Sequence, residues 1–532
     1  MPELDLVLRD ATIYDGTGGA PFRGDVGIKG DRIAEVASGL RGTHEEVCTG
    51  LAVAPGFIDT HSHSDLVVLE SPGLPMKVRQ GITLEVFGQD GISVAPVRLQ
   101  DLENRRRQLA GLLTDPKVDW SWRSVADYLA AVAEARPALD VAYLVPHGAI
   151  RESVMGLEAR RADEGELAKM KGLLSRSLDE GGYGLSTGLI YPPCCYADAE
   201  ELSALGEVVA GRGMPIVVHM RSESDRVLEA MDEMFTVGSR IGAHIHISHF
   251  KIAGRNNWEK LPQVIASVES AKRSGVLVTA DQYPYIAGST ILGAILPPWA
   301  HAGGAGEAVA RLRAREQRRR IADEIRSNAD SDWDNFWKWS GPEGILVADV
   351  PSGRRPEVVG KTLKEAAKAK AADPLEFALD LLASEAMGVS IVSFSQSEEV
   401  VAGILKLPYV NACTDGLLGG RPHPRAYGTC PRILGRYVRE RALLSLEAAI
   451  RKLSGLAADT FGFTDHGYVL AGKRANLVIF DPATVADRAT FEDSRQFPDG
   501  IPHVVVGGKF VVRGGEMTGE RTGRVLHRTP RR

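Results

Sequence analysis

The chain has 532 residues and a mass of 57.3 kDa, enough for more than one domain and a large core. Its 44% hydrophobic and 25% charged residues are globular usage and exclude a disordered chain. Lys and Arg number 63 against 69 Asp and Glu, and the net charge of −6 argues against a nucleic-acid partner.

The first elements, residues 4–8, 11–14 and 25–36, are short β-rich runs broken at Asp-Gly and Lys-Gly, which predict hairpins. This start lacks a basic head followed by an apolar run, so no signal peptide is expected. No stretch of about eighteen uninterrupted apolar residues occurs, so no membrane span is expected. From about residue 55 the pattern changes to apolar runs alternating with amphipathic helical stretches. Candidate strands are 56–60, 83–87, 141–145, 183–187, 215–219, 245–249, 276–281 and 410–414. Helical stretches such as 200–211, 224–236, 258–273 and 374–386 lie between them. That alternation predicts an α/β fold, a distorted (β/α)8 TIM-like barrel over residues 55–465. A doubly wound sheet is disfavoured because no GxGxxG follows an early strand. A ninth strand-like run, 389–394, has to lie outside the ring.

Residues 286–350 break the rhythm with Pro297-Pro298, an Arg-rich stretch from Arg311 to Arg326, and Trp333, Trp337 and Trp339. Glu316, Asp323 and Glu324 interleave the arginines, which reads as a solvated helix face. An insertion of this length predicts a cap or lid over the barrel mouth. Strand-like runs return at 468–470, 475–480 and 503–512, with Gly507-Gly508 as a turn. Neither end is large enough for its own core, so residues 1–54 and 466–532 are expected to build one small β-sandwich domain.

The strongest chemical signal is Gly56-Phe57-Ile58-Asp59-Thr60-His61-Ser62-His63. Alternate residues of a strand share a face, so His61 and His63 project together, as ligands of a Zn²⁺ ion would. His219 ends another predicted strand, His249 the next, and Asp415 the last. Barrel enzymes gather their chemistry at the C-terminal ends of strands, so these residues can converge on a metal. His244 and His246 have the opposite parity to His249 and read as structural. His147 is a candidate for indirect support or substrate contact, and His423 for the mouth. The cysteines 48, 194, 195, 413 and 430 are odd in number and form no CxxC, which points to a reducing, cytoplasmic setting.

The GFIDTHSHSD segment, the HISH strand end, the late TDG and the two terminal β regions together resemble the amidohydrolase superfamily. YGLSTGLIYPP (183–193), HISHFKIAG (246–254), DQYPYIAGST (281–290) and RPHPRAYGT (421–429) resemble the N-acyl-D-amino-acid deacylases, or D-aminoacylases. The resemblance spans essentially the whole chain and implies a barrel, a β-sandwich, an inserted cap and one or two zinc ions. In that family a cysteine near the end of the second strand ligates or bridges zinc. Asp90 stands in its place here, a harder ligand that can also bridge two ions. The fourth strand, 183–189, has no lysine, so the carboxylated-lysine bridge of other amidohydrolases is not available there.

These features imply metal-dependent hydrolysis of a linear N-acyl-D-amino acid, a small-molecule substrate, to a carboxylate and a free D-amino acid. Hydroxide generated at the metal would attack the carbonyl, Asp415 would act as general base, and Tyr191 would meet the oxyanion. Arg425 and Lys251 are the cations available for a substrate carboxylate, and the resemblance adds Tyr283 and Ser289. A hydantoinase- or dihydroorotase-like enzyme shares the HxH strand but would need the missing lysine. Hydrolysis of another small amide and a metal-free binding protein are the remaining alternatives.

Overall fold

The computed structural model describes residues 3–327 and 333–528, so residues 328–332 of the expected cap and the extreme chain ends lie outside the described residues. A six-stranded parallel sheet runs in the order Val410–Ala412, Val278–Gln282, His244–Ile247, Pro215–His219, Leu185–Gly188, Val145–Pro146. Phe57–Asp59, Ile82–Phe87 and Asp140–Tyr143 form a parallel sheet of three. Asp140–Tyr143 and Val145–Pro146 act as one interrupted strand, because the Leu144 N–H between them donates to the Phe87 carbonyl. The ring therefore has eight positions, with amphipathic helices such as Ala199–Ala210, Val227–Ile241 and Leu261–Arg273 between its strands.

Backbone and side-chain hydrogen bonds close the seam between the first and last strands. The Asp415 N–H donates to the His61 carbonyl at 2.8 Å, and Asp59 accepts from the Thr414 N–H at 2.8 Å and its hydroxyl at 2.6 Å. Lys77, fully buried, donates to Asp59 and Thr414 at 2.8 Å each and pairs with Glu85 at 2.8 Å. Burial alone would push the Lys77 pKa down; Asp59 and Glu85 reverse this and hold it above its usual value. Lys77→Met would leave two buried carboxylates without their cation, so we expect a loss of about 3–5 kcal/mol in urea unfolding. An unchanged urea midpoint would show that the seam does not depend on this ammonium.

The ninth strand-like run, Ser390–Ser393, pairs antiparallel with Gly288–Ile291 and Ile345–Asp349, outside the ring. The Arg-rich stretch falls in two helices, Ala305–Arg313 and Arg315–Arg326. The second turns Ile321, Ala322 and Ile325 inward, while Arg318 pairs with Glu376 and Arg320 with Glu324 on the outer side.

The two chain ends share a nine-stranded sheet, joined where Leu477–Phe480 runs antiparallel to Ala52–Pro55. Two expectations change here. Residues 4–8 and 11–14 are one strand, Leu4–Ile13, whose register shifts between Leu8 and Ala11. Residues 468–470 form no strand: Gly467 (φ 81°) and Gly472 (φ 86°) bound a run too short for a ladder, and the Val469 N–H donates to the Asp15 carbonyl. Among the described residues no helix is long and apolar enough to cross a membrane.

Candidate metal centre

Barrel strand ends bring together five of the residues singled out in the sequence, and a sharp turn brings the sixth. His61 and His63 follow Phe57–Asp59, His219 ends Pro215–His219, His249 follows His244–Ile247, and Asp415 follows Val410–Ala412. Asp90 sits in the short turn Gln89–Gly91 after Ile82–Phe87. Asp90 (φ 56°), His249 (φ 36°) and Asp415 (φ 48°) all adopt the left-handed backbone region, which is costly for residues with a side chain. Its surroundings hold His249 there: its N–H donates to Asp281, which also accepts from Thr60 and His246.

The two oxygens of Asp90 face different histidine pairs. Asp90 Oδ2 lies 3.4 Å from His61 Nε2 and 3.4 Å from His63 Nε2. Asp90 Oδ1 lies 3.7 Å from His219 Nδ1 and 3.4 Å from His249 Nε2. Asp415 Oδ1 joins the first group, 3.2 Å from His63 Nε2 and 3.7 Å from His61 Nε2. Ligands about 2.0–2.2 Å from one tetrahedral ion lie about 3.3–3.6 Å from each other, so these separations fit two metal positions sharing Asp90. Both ring nitrogens of His61, His63 and His219, with Asp90 Oδ1, are buried without a hydrogen-bond partner. Such orphaned donors and acceptors are costly unless something binds them, and this donor set suits zinc.

Asp415 Oδ2 pairs with Arg425 at 2.8 Å. Burial alone would raise the Asp415 pKa, but Arg425, His249 and His61 outweigh it and hold the carboxylate ionised. Arg425 is fully buried, stacks 4.4 Å from the Tyr283 ring centre and donates to the Ser289 carbonyl. It stands behind Asp415 and is absent from the pocket wall that Lys251, Tyr283 and Ser289 share with the cluster. The Ser289 hydroxyl spends its proton on the Ile391 carbonyl at 2.8 Å. Tyr283 accepts from Gln396 at 3.0 Å and keeps its own proton available. Tyr191 packs its ring against His219, 5.0 Å between centroids, and its hydroxyl meets Thr290 at 2.7 Å.

Sequence reasoning missed Glu223. It is buried, pairs with Lys251 at 2.7 Å, and lies 3.1 Å from His249 Nδ1 and 3.5 Å from His219 Nε2. One carboxylate thus stands beside the outer nitrogens of two candidate ligands, and the Lys251 ammonium that it pairs with also reaches His249 Nδ1 at 2.7 Å. Its only sequence signal is an acid four residues after His219, with Asp225 beside it.

Other candidates lie elsewhere. His147 is tied to Thr187 and Glu201 at 2.9 and 2.7 Å, away from the pocket wall. His423 is buried rather than at the mouth, donating to the Ala287 carbonyl at 3.0 Å. His244 and His246 both meet Thr279, as structural residues would. Neither Cys194 nor Cys195 belongs to the metal-competent groups.

A model described as the amidohydrolase family matches residues 48–263 and 358–512. N-acyl-D-glutamate deacylase of Alcaligenes xylosoxydans xylosoxydans is 36% identical over 529 residues, spanning 99% of this chain and 97% of the relative. D-aminoacylase of the same organism is 33% identical, spanning 99% of this chain and 98% of the relative. The solved N-acyl-D-glutamate deacylase from Bordetella bronchiseptica, complexed with zinc and a phosphonate mimic of the tetrahedral intermediate, matches with a TM-score of 0.84. Its identity is 33%, with 99% of this chain and 100% of that chain covered.

Proposed function

The chain belongs to the amidohydrolase family, and from that premise we propose that it is a zinc-dependent hydrolase of N-acyl-D-amino acids. The observation that carries the reading is Asp90, each oxygen turned to its own histidine pair, in a chain whose relatives are N-acyl-D-amino-acid deacylases. His61 and His63 with Asp90 would hold one ion, and His219 and His249 with Asp90 a second. Zinc, when bound, supplies Lewis acidity that polarises a carbonyl and makes water nucleophilic at neutral pH.

The remaining steps fall to side chains. Asp415 takes the proton of the attacking water at Oδ1 and returns it to the leaving nitrogen, so that C–N cleavage yields an amine and a carboxylate. Arg425, bound to Oδ2, keeps Asp415 ionised and fixes its rotamer, so its service is to the base rather than to the substrate. The Tyr191 hydroxyl, whose pKa burial and Asp90 hold well above its usual value, stays protonated and donates to the developing oxyanion. Lys251 and Tyr283, which line the same pocket, supply the charge and the hydrogen bond for the α-carboxylate.

In this reading residues 55–465 form the catalytic barrel and residues 1–54 with 466–532 the β domain. The insertion that begins at 286 contributes Phe336 and Trp339 to the pocket. Five free cysteines support a cytoplasmic setting. The test is enantiomeric: N-acetyl-D-leucine should be cleaved at least tenfold faster than its L form, and the methyl ester of the D form should have a strongly raised KM. Equal rates on both enantiomers would overturn the stereochemical assignment.

A further inference from the structure

We propose that Asp334, carried on the inserted segment, is a positioning residue of the metal centre: it holds the loop that sets Glu223 against the His219–His249 pair. The inference rests on the metal centre of the reading above and adds a residue outside its ligand set.

Asp334 is buried and grips the loop that follows the strand Pro215–His219. Its Oδ1 accepts from the Ser222 and Ser224 hydroxyls and its Oδ2 from the Glu223 N–H, each at 2.7 Å. Three consecutive residues are thus tied to one carboxylate, with Glu223 in the middle. Ser222 passes the hold on by accepting from the Ser224 and Arg226 N–H groups at 3.2 Å. From the barrel side, the Ala253 N–H donates to the Glu223 carbonyl at 2.7 Å, and Asn257 donates to Asp225 at 2.8 Å. A second tie from the insertion, Lys338 to Asp225 at 2.9 Å, is part-exposed and contributes little. The buried tie through Asp334 is the one that carries the connection.

Glu223, so placed, lies 2.7 Å from the Lys251 ammonium, 3.1 Å from His249 Nδ1 and 3.5 Å from His219 Nε2. A buried negative charge this close to two candidate ligands favours a divalent cation between them. Release of the Glu223 N–H would let the loop turn and carry that charge away. The His61–His63 pair faces the other oxygen of Asp90 and should not feel the change. Two and five residues beyond Asp334, Phe336 and Trp339 line the catalytic pocket. One short stretch of the insertion therefore both walls the pocket and sets the carboxylate beside one metal position.

The test measures zinc affinity at each position separately, by titrating the chelator-stripped full chain against a chromophoric chelator. His61→Ala with His63→Ala leaves the His219–His249 position, and His219→Ala with His249→Ala leaves the other. Adding Asp334→Ala should weaken zinc about tenfold at the His219–His249 position, the low end of the roughly 10–100-fold seen for partners outside a ligand set, and leave the other position unchanged. Asp334→Asn should recover most of the affinity. Its oxygen can accept from the Glu223 N–H while its NH₂ group donates to the serine oxygens, because a hydroxyl accepts as well as donates. If Asp334→Ala does not fold, Ser224→Ala deletes one of the three donors and carries the same comparison, with a smaller loss expected. Unchanged affinity at the His219–His249 position, an equal loss at both positions, or an Asp334→Asn no better than Asp334→Ala overturns the proposal. No substrate enters this measurement, so failure to cleave any N-acyl-D-amino acid would sink the deacylase reading alone. A parent chain that binds no zinc at the His219–His249 position would contradict the metal centre and this proposal with it.

Discussion

Asp415→Asn should lower kcat by about 10²–10⁴ with little change in KM and with zinc still bound. The expectation comes from how the two oxygens are divided. Oδ2 is committed to Arg425, and Oδ1 faces His63 and the space where a proton must move. An asparagine would turn its oxygen to the guanidinium and its NH₂ group to the site. It would keep the shape but have nothing there to accept a proton. Because the lost interaction belongs to the transition state, the ground-state affinity for substrate should survive. Zinc lost in step with activity would instead make Asp415 chiefly a ligand, and full activity would remove it from both roles.

Asp90→Ala should strip metal from the protein and activity with it. Removing this carboxylate deletes the one group shared by both histidine pairs. The loss of zinc affinity should exceed the roughly 10–100-fold that follows removal of a partner outside the ligand set. Asp90→Cys, restoring the residue that the family resemblance implies, should recover zinc, because a thiolate binds the ion at about 2.3 Å and can serve both positions. Elemental analysis of the three proteins, purified without chelator, makes the comparison. Unchanged zinc in Asp90→Ala would reduce Asp90 to a turn residue.

The barrel was legible because buried parallel strands read as short apolar runs, and its chemistry was legible because histidines stand at their ends. The ring and the ninth run looked alike in sequence, since Ser390–Ser393 is as apolar and as buried as a barrel strand; only its antiparallel partners separate it. Residues 468–470 failed for the opposite reason: β-forming side chains without a neighbour in register make no ladder. Arg425 was read as a cation for a substrate carboxylate; its ion pair with Asp415, ten residues away across a loop, was not read, because no local pattern announces it. Glu223 and Lys77 were missed because a charge with another two residues away, Asp225 or Arg79, reads as surface. Both are buried, and each draws its meaning from residues remote in sequence: Glu223 from His249 and Lys251, Lys77 from Thr414.

The most direct measurement is release of free leucine from racemic N-acetylleucine by chelator-stripped protein, before and after zinc is returned. Stripped protein should be inactive, and zinc should restore release of the D enantiomer with the L form left intact. Activity that persists without metal, or zinc that binds fully and restores no D-selective cleavage, would contradict a zinc-dependent N-acyl-D-amino-acid deacylase.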